Sequence, residues 1–523
     1  IPHCPWARVP AIFAVATFIQ ATGVVITAAV LAFALVTEDR RHRAIAMLVA
    51  PALAAATVAT LANDLDVLLE PLIAAGAVAG GLVVLALAWL IHRRPATLAL
   101  LAVAALPFRV PVSIGESAAN LLLPLYAVIA AGTLAYAWRA LRWNPPAPGR
   151  ERLLRWLAWT FAVVLGLYGL QATYSTDVEQ AIKNVCLFYM PFALLFLLLL
   201  EVGWSVRLLR HCLLVTVGLA LVFAAIGCVE FATGHLLITN AKVVEANDLL
   251  PYFRVNSLFF DPNIYGRYLA LTMILLAAVL LWTRRRREAI LIASALVLLW
   301  VGLLFSLSQS SFAALLLGLG VLAALRWRAW PVLAGTGLAA LVAVGLVLFA
   351  PATLNLETGS LDELDRATSG RANLIGGGLR MVRDRPVYGF GAGSYAERYR
   401  ERERVSSEKV AAASHTIPLT VTAEQGVIGL AAYLALVALS LALLFDGARA
   451  GAVGWPGAGA VARAALASAY AALVLHTLVY AAYLEDPLSW VLLAIAAGLR
   501  ARPLAGDDPA EPADAEPALL ARS

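Results

Sequence analysis

The chain has 523 residues, 62% of them hydrophobic and 14% charged, with a mean hydropathy of +0.83. Soluble domains carry about 45–50% apolar and about 25% charged residues, so a soluble globular architecture is excluded and most of the chain belongs in lipid. The net charge of +6 comes from basic residues dispersed between apolar runs, which argues against a nucleic-acid partner and for arginine placed in short loops.

Apolar runs long enough to cross a bilayer, about 20 residues each, recur from end to end. Their approximate limits are 11–36, 44–62, 66–91, 95–112, 118–138, 155–172, 180–200, 208–230, 264–283, 289–307, 310–325, 330–350, 417–445, 461–483 and 486–499. Residues 95–112 are interrupted by Pro107 and Pro111, and 486–499 is short. The expected fold is therefore all-α, a polytopic membrane bundle of about 12–15 spans. Cys186, Cys212 and Cys228 lie in or beside apolar runs, and with Cys4 they show no metal-ligand spacing, so they read as small core residues. The start at Ile1 is compatible with a processed or trimmed terminus, and no signal-peptide pattern follows it.

Arginine sets the expected orientation. The groups at Arg40 to Arg43, Arg93 and Arg94, Arg142 to Arg155, Arg207 and Arg210, Arg284 to Arg287, Arg326 and Arg328, Arg449 and Arg463, and Arg500 and Arg502 fall on alternate loops. That regularity puts them all on the cytoplasmic side. The organisation that follows is N-terminal spans over 1–230, central spans with an outer segment over 231–350, an extracytoplasmic, partly helical cap loop over 351–416, C-terminal spans over 417–502 and a disordered cytoplasmic tail over 503–523.

The outer loops hold the chemistry. Arginine suits phosphate because its planar fork donates several hydrogen bonds and stays charged. Candidates are Arg254, Arg267 one turn inside an apolar run, Arg371 and Arg380. An ionisable residue inside a span is functional by default, snorkelling to the interface being the plainer alternative. In "FFDPNIYGRY" Asp261 reads as a helix N-cap with Pro262 at the first helical position, which would fix where Arg254 and Arg267 point. "AERYRERERVSSEK" alternates sign and reads as a solvated helix. "PVYGFGAGSY" carries Gly389, Gly391 and Gly393 without any βαβ context, so a tight turn is expected and a dinucleotide site is not. His415 opens the apolar run at 417, where a neutral imidazole can take a proton from an acceptor hydroxyl. Glu424, two helical turns on, either orients that histidine or makes a structural hydrogen bond. Gly426 and Gly429, three apart, are expected to let a neighbouring helix approach.

These segments carry a resemblance. "HTIPLTVTAEQGVIG" is similar to the signature of the O-antigen ligase and polymerase superfamily, with His415, Gly426 and Gly429 in the matching places and Thr416 departing from the usual residue. "SGRANLI" resembles the family's arginine motif through Arg371, and "RPVYGFGAGSY" its Pro-x-x-Gly-x-Gly turn. "RVNSLFFDPNIYGRYLAL" resembles its earlier segment through Arg254, Pro262 and Asn263, whereas Gln309 in "SLSQSS" departs from it. The resemblance covers about 250–440. It implies a glycosyltransferase of the GT-C kind in a bacterial inner membrane, facing the periplasm. Such an enzyme takes its glycan from an undecaprenyl-diphosphate carrier and passes it to a glycan or lipid acceptor, with no cofactor and no metal. His415 would then be the base, and arginines would hold the diphosphate. Ligase and polymerase are both open. A solute transporter is the alternative from another class, for which the chain offers no internal repeat.

Overall fold

The computed structural model describes residues 9–61, 71–114, 117–143, 149, 151–237, 244, 247, 252–327, 335, 371–403, 416–446, 457–480, 483–502 and 504. The chain runs through α1 (Val9–Val36), α2 (Arg40–Ala59), α3 (Pro71–Arg93) and α4 (Ala96–Ala105), then a hairpin of β1 (Val110–Ile114) and β2 (Ser117–Leu121). It continues through α5 (Leu123–Arg142), α6 (Arg152–Gln171), α7 (Val178–Ile182), a π-helical turn over Lys183–Tyr189, α8 (Met190–Leu200) and α9 (Val206–Thr233). The second half comprises α10 (Pro262–Trp282), α11 (Arg286–Ser306), α12 (Gln309–Arg326), α13 (Arg371–Asp384), α14 (Tyr395–Glu403), α15 (Ile417–Phe445), α16 (Ala458–Val479) and α17 (Pro487–Ala501).

The protein is a polytopic helical membrane bundle. Eleven helices among the described residues are long and apolar enough to cross a bilayer, and Ala96–Ala105 and Pro487–Ala501 are shorter apolar helices. The expected run at 330–350 lies, but for residue 335, outside the described residues. The run at 95–112 is not one span: α4 ends at Ala105 and the chain turns into the hairpin, where Pro111 pairs in register with Asn120. Pro107 and Pro111 explain this, since proline removes a helical donor and restricts the residue before it, yet is tolerated at a strand edge. α17, the short run, is buried along most of its length, at Pro487 and from Ser489 to Leu499.

Capping residues mark where several of these helices begin or end. The Asp39 side chain accepts the Arg41 and His42 N–H groups, Ser205 accepts that of Leu208, and Asp486 accepts that of Leu488. α9 stops at Gly234, whose φ of 66° suits a left-handed C-terminal residue. α1 packs on α6 and α2, and α15 packs between α6 and α16. α10 lies against α11, α12 and α16.

Charge pairs mark one end of the bundle. Glu201 takes Arg40 at 3.3 Å, Arg43 at 3.1 Å and Arg502 at 3.7 Å, while Arg500 pairs with Glu151 and Asp446. The arginine groups at 40–43 and 500–502, expected on one side of the membrane, thus meet at one end. The opposite end carries the residues described next.

Candidate functional site

Two main-chain irregularities build the frame. α15 is broken at Gly426, which adopts φ 66° and ψ −167°, a conformation that L side chains rarely enter. Into that break the 386–393 turn docks: the Phe390 N–H donates to Ala423 O at 3.1 Å, the Gly391 N–H to Glu424 O at 2.8 Å, and the Val427 N–H to Pro386 O at 2.8 Å. Gly389, Gly391 and Gly393 all have positive φ. A Cβ on Gly426 would lie 2.1 Å from the Val387 carbonyl oxygen. The close neighbour of Gly426 is therefore this turn and not another helix, and Gly429 instead leaves room for the side chain of Gln425.

Glu424 locks the turn from beneath. It is buried, and its two carboxylate oxygens accept the Gly393 N–H at 3.0 Å and the Tyr395 N–H at 3.1 Å, the latter at the first residue of α14. A carboxylate at a helix N-terminus satisfies donors that have no intrahelical partner. From the other side Tyr174 donates to Tyr388 O at 2.8 Å and Ser175 to Ala392 O at 2.7 Å. α13 and α14 sit on this base through Leu374, Met381, Tyr395, Tyr399 and Ala423. Arg380 ties the two helices together, its Nε and Nη2 meeting the two oxygens of Glu403 at 3.0 and 2.7 Å. Arg402 pairs with Asp384, and Arg398 with Glu401 at 2.6 Å, so the alternating charges of α14 pair largely among themselves and with α13.

Arg254 sits at a second junction. It lies just before Asn256 and Ser257, whose N–H groups, with that of Leu237, are accepted by Glu230, a fully buried carboxylate. The Arg254 Nε donates to Ser306 O at 3.0 Å and its Nη2 to Asn263 Oδ1 at 3.4 Å. The Ser306 carbonyl and Ser308 hydroxyl both face this point because the chain turns sharply at Leu307, with φ 49°, between α11 and α12. Asn263 Oδ1 also accepts the Ser308 hydroxyl at 2.8 Å, and Ser308 continues to Ser311 at 2.8 Å. Ser310 reaches His476 Nε2 at 3.1 Å.

Asp261 caps α10 through the Asn263 N–H at 2.6 Å and accepts the Tyr480 hydroxyl at 2.9 Å. Burial, with Asp261 alongside, pushes the Tyr480 hydroxyl well above the ordinary phenol range, which keeps it a donor. Thr416, which precedes α15, donates to Leu478 O at 3.1 Å, two residues before Tyr480. Arg267 does not snorkel. It is 1% exposed and its Nη2 lies 2.6 Å from Asp486 Oδ2.

The residues expected to carry chemistry thus fall into three groups. Arg254, Asp261 and Asn263 meet at one junction, Arg267 lies one turn deeper on α10, and Glu424, Gly389, Gly391 and Gly426 build the base of the cap. Arg371 opens α13, with its side chain outside the described part, and His415 lies outside the described residues. Sequence reasoning missed Ser308, His476, Tyr480 and Asp486, whose roles come from contacts across 45 to 219 residues of chain. A polar serine run between two apolar helices was the one available signal.

Residues 294–434 match the family model for O-antigen ligase. The match begins in α11 and ends in α15, so it takes in Arg371, the glycine turn, His415, Gly426 and Gly429, and starts after Arg254 and Asn263. No curated protein matches the chain.

Proposed function

The chain being a member of the O-antigen ligase superfamily, we propose that it is an inner-membrane glycosyltransferase that moves a glycan from an undecaprenyl-diphosphate carrier to an acceptor hydroxyl. The acceptor oxygen attacks the anomeric carbon and its proton passes to His415. The bond from that carbon to the phosphate oxygen breaks, and the electron pair leaves with the carrier diphosphate. Arg254 and Arg371 hold that diphosphate and stabilise the charge that builds on it. The active face is the periplasmic one, and no cofactor or metal takes part.

One observation carries this reading. Arg254 is fixed against Asn263 and Ser306 at the end of the bundle opposite the Glu201 cluster, and the residue after His415 is tied to that same end. Thr416 binds Leu478, Tyr480 follows two residues on, and Tyr480 holds Asp261, the cap of the helix that bears Asn263. A chain of short contacts therefore joins the neighbourhood of the proposed base to that of the proposed diphosphate arginine. Arg380 is set apart from this role because Glu403 already takes its fork.

The test is reconstitution. Full-length protein in liposomes, given a lipid-diphosphate-linked glycan and candidate acceptors, should release carrier diphosphate in step with glycan transfer. A polymeric product on the same carrier would assign the polymerase branch of the family, and transfer to a lipid core the ligase branch. Passage of a solute without consumption of the carrier-linked donor would overturn the proposal in favour of transport.

A further inference from the structure

The half-buried Arg254 stands at the outer end of a polar chain that runs into the bundle. Its side chain carries only donors, so Asn263 must face it with the amide oxygen, and Nη2 meets Asn263 Oδ1 at 3.4 Å. The same oxygen accepts the Ser308 hydroxyl at 2.8 Å. A hydroxyl carries one hydrogen. With that hydrogen given to Asn263, Ser308 Oγ has lone pairs for the hydroxyls of Ser311 at 2.8 Å and Ser310 at 3.2 Å. Both of those lie against His476 Nε2, Ser310 at 3.1 Å and Ser311 at 3.5 Å. Ser308, Ser310, Ser311 and His476 are all buried, His476 completely.

The end of α16 reaches Asn263 by a second route. The Tyr480 N–H donates to His476 O at 2.8 Å, the Tyr480 hydroxyl donates to Asp261, and Asp261 accepts the Asn263 N–H at 2.6 Å. Asn263 is therefore held at its main-chain amide and at its side-chain oxygen from one turn of one helix. A buried imidazole costs free energy unless its polar atoms are partnered, and a leucine would fill the same interior without that cost. The serine run partners the imidazole, and the imidazole completes the run. With the hydrogen on Nε2, His476 donates to Ser310, Ser310 to Ser308 and Ser308 to Asn263, so each hydroxyl on the path gives one hydrogen bond and receives one. His476 is too deep to touch a substrate, so any part it takes in transfer passes through Asn263 and Arg254.

We propose that His476 is a positioning residue for the donor: by way of Ser310, Ser308 and Asn263 it fixes the direction of the Arg254 fork. The inference rests on the reading of Arg254 as an arginine that holds the carrier diphosphate. It adds a buried histidine, on a helix beyond the matched family segment, to the residues on which transfer depends.

Initial rates of glycan transfer by full-length protein in liposomes, with thermal melting alongside, test it. His476→Leu fills the space without a donor, whereas His476→Gln brings an amide N–H to the place of Nε2. A misdirected fork should lower kcat/KM for the lipid-diphosphate donor about tenfold or more in His476→Leu, with KM for the acceptor unchanged. His476→Gln should return to within about threefold of wild type, because an amide restores the donor. Combined with Arg254→Lys, His476→Leu should lower the rate no more than about threefold further, since both changes act on one interaction. If His476→Leu does not fold, Ser308→Ala cuts the same path at its middle, with the same expected loss and the same non-additivity. Wild-type kcat/KM in the folded variant, His476→Gln as impaired as His476→Leu, a loss carried by acceptor KM, or full additivity with Arg254→Lys would each overturn the proposal while leaving the donor site at Arg254 intact. Arg254→Lys at the wild-type rate would instead overturn the donor-site reading, and the role of His476 with it.

Discussion

Gly426→Ala should undock the cap from the membrane bundle. Alanine at a φ of 66° costs about 1–2 kcal/mol by itself. Its Cβ would also stand 2.1 Å from the Val387 carbonyl oxygen and 2.5 Å from the Tyr388 nitrogen, both backbone atoms that cannot swing aside. Relief requires the 386–393 turn to move, which breaks the bonds from Phe390 to Ala423, Gly391 to Glu424 and Val427 to Pro386. At about 0.5–1.5 kcal/mol each, these losses bring the total to roughly 3–6 kcal/mol. At about 1.4 kcal/mol per decade, the undocked population rises by about 10²–10⁴. Limited proteolysis of purified protein reports that population when opening and closing are fast, with cleavage expected at the arginines of α13 and α14. Gly376→Ala is the control. Its Cβ would meet nothing nearer than Arg380 Nη1 at 3.5 Å, and it gains helix propensity, so cleavage should stay at the wild-type rate or slow. Wild-type protease resistance in Gly426→Ala would refute the docking described for the glycine turn.

Arg254→Lys keeps a charge but loses the fork that reaches Ser306 and Asn263, so turnover should fall at least about tenfold with the protein still folded, as read by initial rates and thermal melting. Arg380→Ala breaks a partly exposed pair with Glu403, and should cost at most about 1 kcal/mol in stability while leaving turnover within a few-fold of wild type; a loss as deep as that of Arg254→Lys would put Arg380 on the substrate. Tyr480→Phe leaves Asp261 Oδ2 without its hydroxyl, with an expected loss of about 1 kcal/mol in melting experiments. Glu485, in the loop before α17, is pushed up to about 7 by burial, with Asp486 adding to the rise and Tyr189 opposing it. The folded protein then binds this proton more tightly than the unfolded chain does, so the contribution of Glu485 to stability is greatest below pH ~4.5 and declines as pH rises toward 7. Glu485→Gln should flatten that slope, and an unchanged pH profile would exclude the assignment.

The fold was legible where physics is local. Apolar length gave the spans, and Asp261 followed by Pro262 gave the start of α10. The hairpin at 110–121 was not legible, because an apolar run containing two prolines satisfies the span criterion while its backbone does not. The glycine spacing at 426 and 429 was seen, but its use was misjudged. A Gly-x-x-Gly pair commonly marks helix contact, and only the φ of Gly426 reveals a broken helix receiving a turn. Glu424 was placed between two roles, and the Gly393 and Tyr395 amides take both of its oxygens. Asp486 and Tyr480 escaped notice because neither stands in a motif. Each matters through one partner, Arg267 or Asp261, more than 200 residues away.

The central claim is that His415 takes the acceptor proton while arginines hold the carrier diphosphate. It is tested most directly by measuring glycan transfer from the lipid-diphosphate donor with His415→Ala protein in liposomes, alongside donor binding to the same preparation. A general base contributes about 10²–10⁴-fold, so transfer should fall by that factor with donor binding retained, and His415→Gln should not restore it, since an amide cannot accept the proton. Transfer at the wild-type rate in His415→Ala would contradict the mechanism.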